Sequence, residues 1–161
     1  MKIEFDVHMT VSAMYDYMLY HTMRSFTGIL GEFVGIFLIA GFFYSKYPIY
    51  LIAGLIVVFY LPVSLYINAK RQVMLNPVFK EPIHFTLDEE GVTVSVKEES
   101  ESQKWEDMRK AVSTGRSIIL YTNKINASIF PKADLGDKLP DVIKMISTHM
   151  DAKKVVIRTM S

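Results

Sequence analysis

The 161-residue chain contains no cysteine. That excludes a disulfide framework, a cysteine-based zinc site and a thiolate nucleophile. Charge of neither sign dominates: 18 Lys and Arg face 17 Asp and Glu, a net of +1. A strongly basic nucleic-acid binder is therefore excluded. Glycine and proline are sparse, 8 and 6 residues, so the chain is neither collagen-like nor a low-complexity linker. Catalytic signatures are missing too. The sequence has no Gly-x-Ser-x-Gly, no phosphate-binding glycine loop and no His-Glu-x-x-His. His8, His21, His84 and His149 are scattered without metal-ligand spacing. No enzyme, cofactor or metal is expected from this inventory.

What the chain has in abundance is apolar residues. They make up 50% of it, and mean hydropathy is positive. They concentrate in two runs. Residues 26–44 carry Glu32 as their one charge, and residues 48–67 carry none. A bilayer core takes about 20 apolar residues as helix, with a range of roughly 17–25. Both runs fit. Ser45, Lys46 and Tyr47 alone separate them, which predicts a transmembrane hairpin over residues 25–68. A cleaved signal peptide is not expected. The run is longer than a signal core of about 7–15 residues, and Glu4, Asp6 and Asp16 precede it in place of a basic segment.

Orientation follows the flanking cations. Lys2 and Arg24 precede the first run, and Lys70, Arg71 and Lys80 follow the second, whereas the turn holds Lys46 alone. Both termini are expected on the cytoplasmic side, with Tyr44, Tyr47 and Tyr50 at the opposite interface. Inside the first run, Gly31 and Gly35 form a Gly-x-x-x-Gly pattern, with Gly28 beside it and Gly54 as the small residue of the second run. Small residues let helices approach closely in lipid. Packing within the hairpin and a homodimer contact both remain open. Glu32 is a functional candidate, because an intramembrane carboxylate costs about 2.5–3.5 kcal/mol on insertion scales. Its bland reading is a residue near the interface. Pro62 is expected to kink the second helix.

The remainder reads as α+β. Ile3, Phe5 and Val7 alternate with charged residues, as in a strand. Thr10 is placed to cap a helix over residues 11–24, and residues 1–24 are expected to dock on the soluble part. Asn68 to Met74 continues the second span, and Asn76-Pro77 stops it. Strands are predicted over 83–87, 92–96, 103–112, 117–122 and 127–131. Residues 97–102, rich in glutamate, read as a polar connection. Asp137 is a candidate cap for a final helix with Leu139, Val142, Ile143, Ile146 and Met150 on one stripe. Residues 155–157 suit a last strand or a tail. The soluble domain, residues 76–161, holds thirteen Lys and Arg and thirteen Asp and Glu, so it is neutral. That balance argues against simple capture of anionic lipid, which usually takes clusters of about 4–8 basic residues.

In this order the elements resemble the YcxB-like family of bacterial membrane proteins. The resemblance rests on Phe85, Leu87 and Gly91; on Trp105-Glu106-Asp107-Met108; on Ile118-Ile119-Leu120-Tyr121; and on Ile129-Phe130-Pro131-Lys132. Phe130 before the proline and Met108 at the aliphatic place depart mildly from the usual pattern. The resemblance implies a pleckstrin-homology-like soluble domain, a bent antiparallel sheet closed by a C-terminal helix. It imports no activity. The chain is thus expected to be a non-enzymatic membrane-anchored scaffold that binds a protein partner or a second copy of itself. The alternatives are an anionic-lipid headgroup sensor or an accessory subunit of a transport or export system. Candidate partner or lipid contacts are Trp105, Lys132, Lys70 and Arg71. Nucleic acid is not an expected partner.

Overall fold

The computed structural model describes residues 2–123 and 126–157. Strand β1 (Ile3–Val7) leads into α1 (Val11–Met23), α2 (Phe26–Ser45) and α3 (Pro48–Leu75). Six strands follow: β2 (Ile83–Leu87), β3 (Gly91–Val96), β4 (Glu99–Lys104), β5 (Lys110–Ser113), β6 (Ser117–Tyr121) and β7 (Ala127–Pro131). The short α4 (Lys132–Leu135), the longer α5 (Leu139–His149) and β8 (Val155–Val156) complete the described chain.

α2 and α3 are the two apolar runs. Each is long and apolar enough to cross a membrane, and only 11% of either apolar window is buried. A core helix of a soluble protein would be mostly covered, whereas here Phe26, Phe37, Phe43 and Tyr44 all stand exposed. The turn between them is tight because Lys46 adopts a left-handed φ of 64° and donates its backbone N–H to Phe42. Pro48 then opens α3 with the φ a helix needs. α3 runs without a break through Pro62 and on to Leu75.

α1 meets α2 at a built corner. The Ser25 hydroxyl donates to the carbonyl of Thr22 at 2.7 Å and accepts from the amide of Gly28 at 3.1 Å. One side chain thereby ends one helix and caps the next. Thr10 caps α1 as the sequence indicated, accepting from Ala13. α1 packs against α3 on one side and against β6 and β7 on the other. Two side-chain bonds reinforce this seat: Thr114 donates to the Asp16 carboxylate at 2.5 Å, and Arg116 donates to Ser12.

The strands form two four-stranded sheets, ordered β1-β2-β3-β4 and β7-β6-β5-β8. β1, made before the hairpin, pairs antiparallel with β2, made after it, placing Phe5 opposite Phe85. Phe130 of β7 meets both rings edge-on, at 5.2 Å and 4.8 Å. This three-ring cluster joins the two sheets. α5 adds buried Val142, Met145 and Ile146 to the same core.

Three details differ from the sequence expectation. Residues 97–102 are not a connection: Lys97 and Glu98 form a two-residue turn, and Glu99 begins β4. β4 carries no apolar alternation because it is an edge strand exposed on nearly its whole length, and its charges keep that edge from pairing with other chains. Residues 103–112 are not one strand either. A 3₁₀ turn over Trp105–Asp107 carries the chain from one sheet to the other before β5 begins. Asp137 does not cap the final helix; it lies in a 3₁₀ turn, and Lys138 occupies the cap position. Among the described residues there are accordingly eight strands in two sheets, where the sequence suggested about five after the hairpin with the N-terminal strand and a last strand at 155–157 beside them, and β8 pairs with β5 in parallel.

Candidate functional site

The four residues singled out as partner or lipid contacts occupy separate places. Trp105 is 5% exposed, and its indole N–H donates to the carbonyl of Asp88 at 2.8 Å. Its ring stacks on His149 of α5, 5.5 Å away. Lys132, at the start of α4, donates to the carbonyl of Thr114 at 2.6 Å and so clasps the β5–β6 turn. Trp105 lies before β5 and Thr114 after it, so these two contacts sit toward opposite ends of that strand. Lys70 and Arg71 are exposed on the last turns of α3. The geometry assembles no common site from the four.

The intramembrane candidates divide in a similar way. Gly35 and Gly54 mark the crossing of α2 and α3. A Cβ on Gly54 would stand 2.9 Å from the carbonyl oxygen of Gly35, and one on Gly35 would stand 2.6 Å from Val58. Backbone approach this close is what small residues allow in lipid. Gly28 serves the α1–α2 corner, where a Cβ would meet the Thr22 carbonyl at 2.0 Å. Gly31 has open space around it, so that part of the Gly-x-x-x-Gly pattern does not contribute to the hairpin contact. Glu32 is half-buried on α2. Among the described residues, no group of three His, Asp or Glu side chains is arranged to hold a metal ion.

Among the cavities that α1 lines, two carry binding features, and neither is legible in the sequence. The larger, about 540 Å³, is the open end of the inter-sheet core. Phe85, Val94 and Val96 of β2 and β3 form one wall, and Ala127, Ser128 and Ile129 of β7 form another. Met14, Tyr17 and Met18 of α1 roof it, with Phe79 at the hairpin side. Among the described residues β7 pairs with β6 only, so its second edge has no partner strand there, and Ala127, Ser128 and Ile129 of β7 line this groove. Unbranched methionines can repack around varied apolar shapes.

The smaller cavity, about 300 Å³, lies at the C-terminal end of α1. Tyr20, His21 and Arg24 come from α1 and its cap, Ser25 from the corner, Arg109 and Lys110 from the start of β5, and Tyr121 from β6. The Arg24 guanidinium lies 4.6 Å over the Tyr20 ring, and His21 stacks on Tyr121 at 6.0 Å. Burial, with the neighbouring phenols Tyr17 and Tyr20, pushes the Tyr121 hydroxyl up to about 12, while Arg24 pulls it the other way. Tyr121 therefore stays a neutral hydroxyl throughout the ordinary pH range. His21 lines both cavities.

Residues 87–146 match the family model of the YcxB-like proteins. The match begins at the last residue of β2 and ends within α5, so it covers most of the two-sheet domain and none of the hairpin. Comparison with curated proteins finds no match, and comparison with solved structures finds none.

Proposed function

We infer that this chain, YcxB-like over residues 87–146, is a non-enzymatic membrane-anchored binding module whose groove takes an extended segment of a protein partner. α2 and α3 cross the cytoplasmic membrane as a hairpin and leave both termini in the cytoplasm. The two sheets and α5 form a pleckstrin-homology-like domain seated on the inner surface. Exposed apolar side chains along both helices support the anchor. Arg24, Lys70 and Arg71 at the base, against Lys46 alone in the turn, support the orientation.

The observation that carries the binding role is the groove. It is apolar, and it runs beside the unpaired edge of β7. A strand added there would gain main-chain hydrogen bonds from the edge and specificity from side-chain pockets. α1 holds the groove against the hairpin, so a partner would be captured at a fixed height above the bilayer.

Two experiments test this. Topology reporters placed at Lys46 and after Ser161 should report opposite compartments; a cytoplasmic signal from both would remove the hairpin. Ser128→Phe should plug the groove mouth, since Ser128 lies on the same strand face as buried Phe130. Wild type released in mild detergent should carry a second protein at fixed stoichiometry, and Ser128→Phe should lose it while keeping its melting temperature within a few degrees. Wild type released as a bare monomer, or a partner retained by the variant, would overturn the reading. A homodimer abolished by Ser128→Phe would identify the partner as a second copy.

A further inference from the structure

We propose that the pocket framed by Tyr20, His21, Arg24, Arg109, Lys110 and Tyr121 binds the phosphate of an anionic phospholipid. Arg24 at the end of α1 and Arg109 and Lys110 at the start of β5 all line it, and no carboxylate is among its lining residues. None of the three makes a salt bridge among the described residues. Arg24 is steadied by the Tyr20 ring beneath it. Guanidinium groups suit phosphate oxygens because their N–H donors form a planar fork. At about 300 Å³ the pocket is at the small end of ligand sites, enough for a headgroup.

Position selects the lipid. Arg24 caps α1, Ser25 caps α2, and the apolar span begins at the next residue, Phe26. The pocket therefore sits where headgroups lie when α2 crosses a bilayer, and at the positive end of that helix. A lipid phosphate reaches it without leaving the membrane surface, whereas a soluble phosphate would compete with a two-dimensional excess of headgroups. The site rests on the membrane placement of α2 and is independent of the peptide groove.

The test uses the full chain, first fractionated and then purified in mild detergent. Recovery in the soluble fraction without detergent would overturn the placement itself. Membrane-bound protein is then titrated with phosphatidylglycerol and with phosphatidylcholine, and retained lipid is read by native mass spectrometry. Phosphatidylglycerol should bind at least about tenfold more tightly, with affinity falling as salt rises. Arg109→Gln with Lys110→Gln should weaken phosphatidylglycerol about 25-fold, at about fivefold per cation. Lys70→Gln with Arg71→Gln removes the same charge beside the same membrane but outside the pocket, and should change affinity less than about twofold. Should the first pair fold poorly, Arg24→Gln gives the same reading from an exposed side chain. Equal binding of the two lipids, or equal losses from the two double variants, would overturn the site. Displacement of phosphatidylglycerol by millimolar inorganic phosphate would overturn the lipid and leave a soluble phosphate as ligand.

Discussion

Replacing Phe130 by alanine should unfold the two-sheet domain about 10 °C earlier than wild type, with a cost of about 3–5 kcal/mol. Phe130 is fully buried, and its ring touches Phe5 of β1 and Phe85 of β2. These contacts run between sheets, so the surrounding backbone cannot close the cavity without moving one sheet against the other. Phe130→Leu retains much of the bulk and should lose less than half as much. Thermal unfolding of the detergent-solubilised chain, followed by far-ultraviolet circular dichroism, checks both. An alanine variant within 3 °C of wild type would show that the cluster does not join the sheets.

Trp105→Ala should be nearly as costly, about 3–5 kcal/mol, and Trp105→Phe should cost about 1–3 kcal/mol. The two differ because two separate contacts are lost. Alanine removes a buried ring stacked on His149. Phenylalanine keeps an apolar ring but leaves the Asp88 carbonyl without the indole donor. That carbonyl belongs to a residue already occupied on its other atoms. The Asp88 carboxylate accepts from the amides of Glu90 and Gly91, and its amide donates to the Gly91 carbonyl. The indole thus ties the β2–β3 turn to the crossing between sheets. Denaturant unfolding of the two variants separates the contributions. The tryptophan is the single one in the chain, so its fluorescence reports unfolding of wild type directly. Phosphatidylglycerol binding should be unchanged in Trp105→Phe, because Trp105 does not line the basic pocket.

Legibility in the sequence tracked how local each signal was. The hairpin is a contiguous apolar run interrupted by three residues, and it could be read without knowing what packs where. β2 and β3 were legible because one face is buried and the other wet, which writes a period of two into the chain. β4 was not, because a strand wet on both faces has no period to show. The 3₁₀ turn at Trp105 was missed because its apolar residues, Trp105 and Met108, sit three apart within a stretch otherwise compatible with strand. The candidate contacts were chosen by residue type, and the fold gave Trp105 and Lys132 intramolecular partners. The basic pocket was invisible for a different reason. Arg24 and Lys110 are far apart in the chain, and only the seating of α1 against β6 brings their elements together. No window of sequence contains that convergence.

The pairing of β1 with β2 also bears on how the molecule is made. β1 leaves the ribosome before β2, because the strand it must pair with follows the α2–α3 hairpin and cannot emerge until that hairpin has been synthesised. Until then Phe5 has neither Phe85 nor Phe130 to cover it. Synthesis of α2 and α3 must therefore precede completion of the sheet, and the hairpin is the covalent tether between the waiting strand and its partner. A chain started at residue 76 would lack β1 and would leave one edge of β2 and the Phe85 ring uncovered. The two-sheet half is in this sense finished only after the hairpin, and a chain halted before β2 should leave β1 unpaired and protease-sensitive.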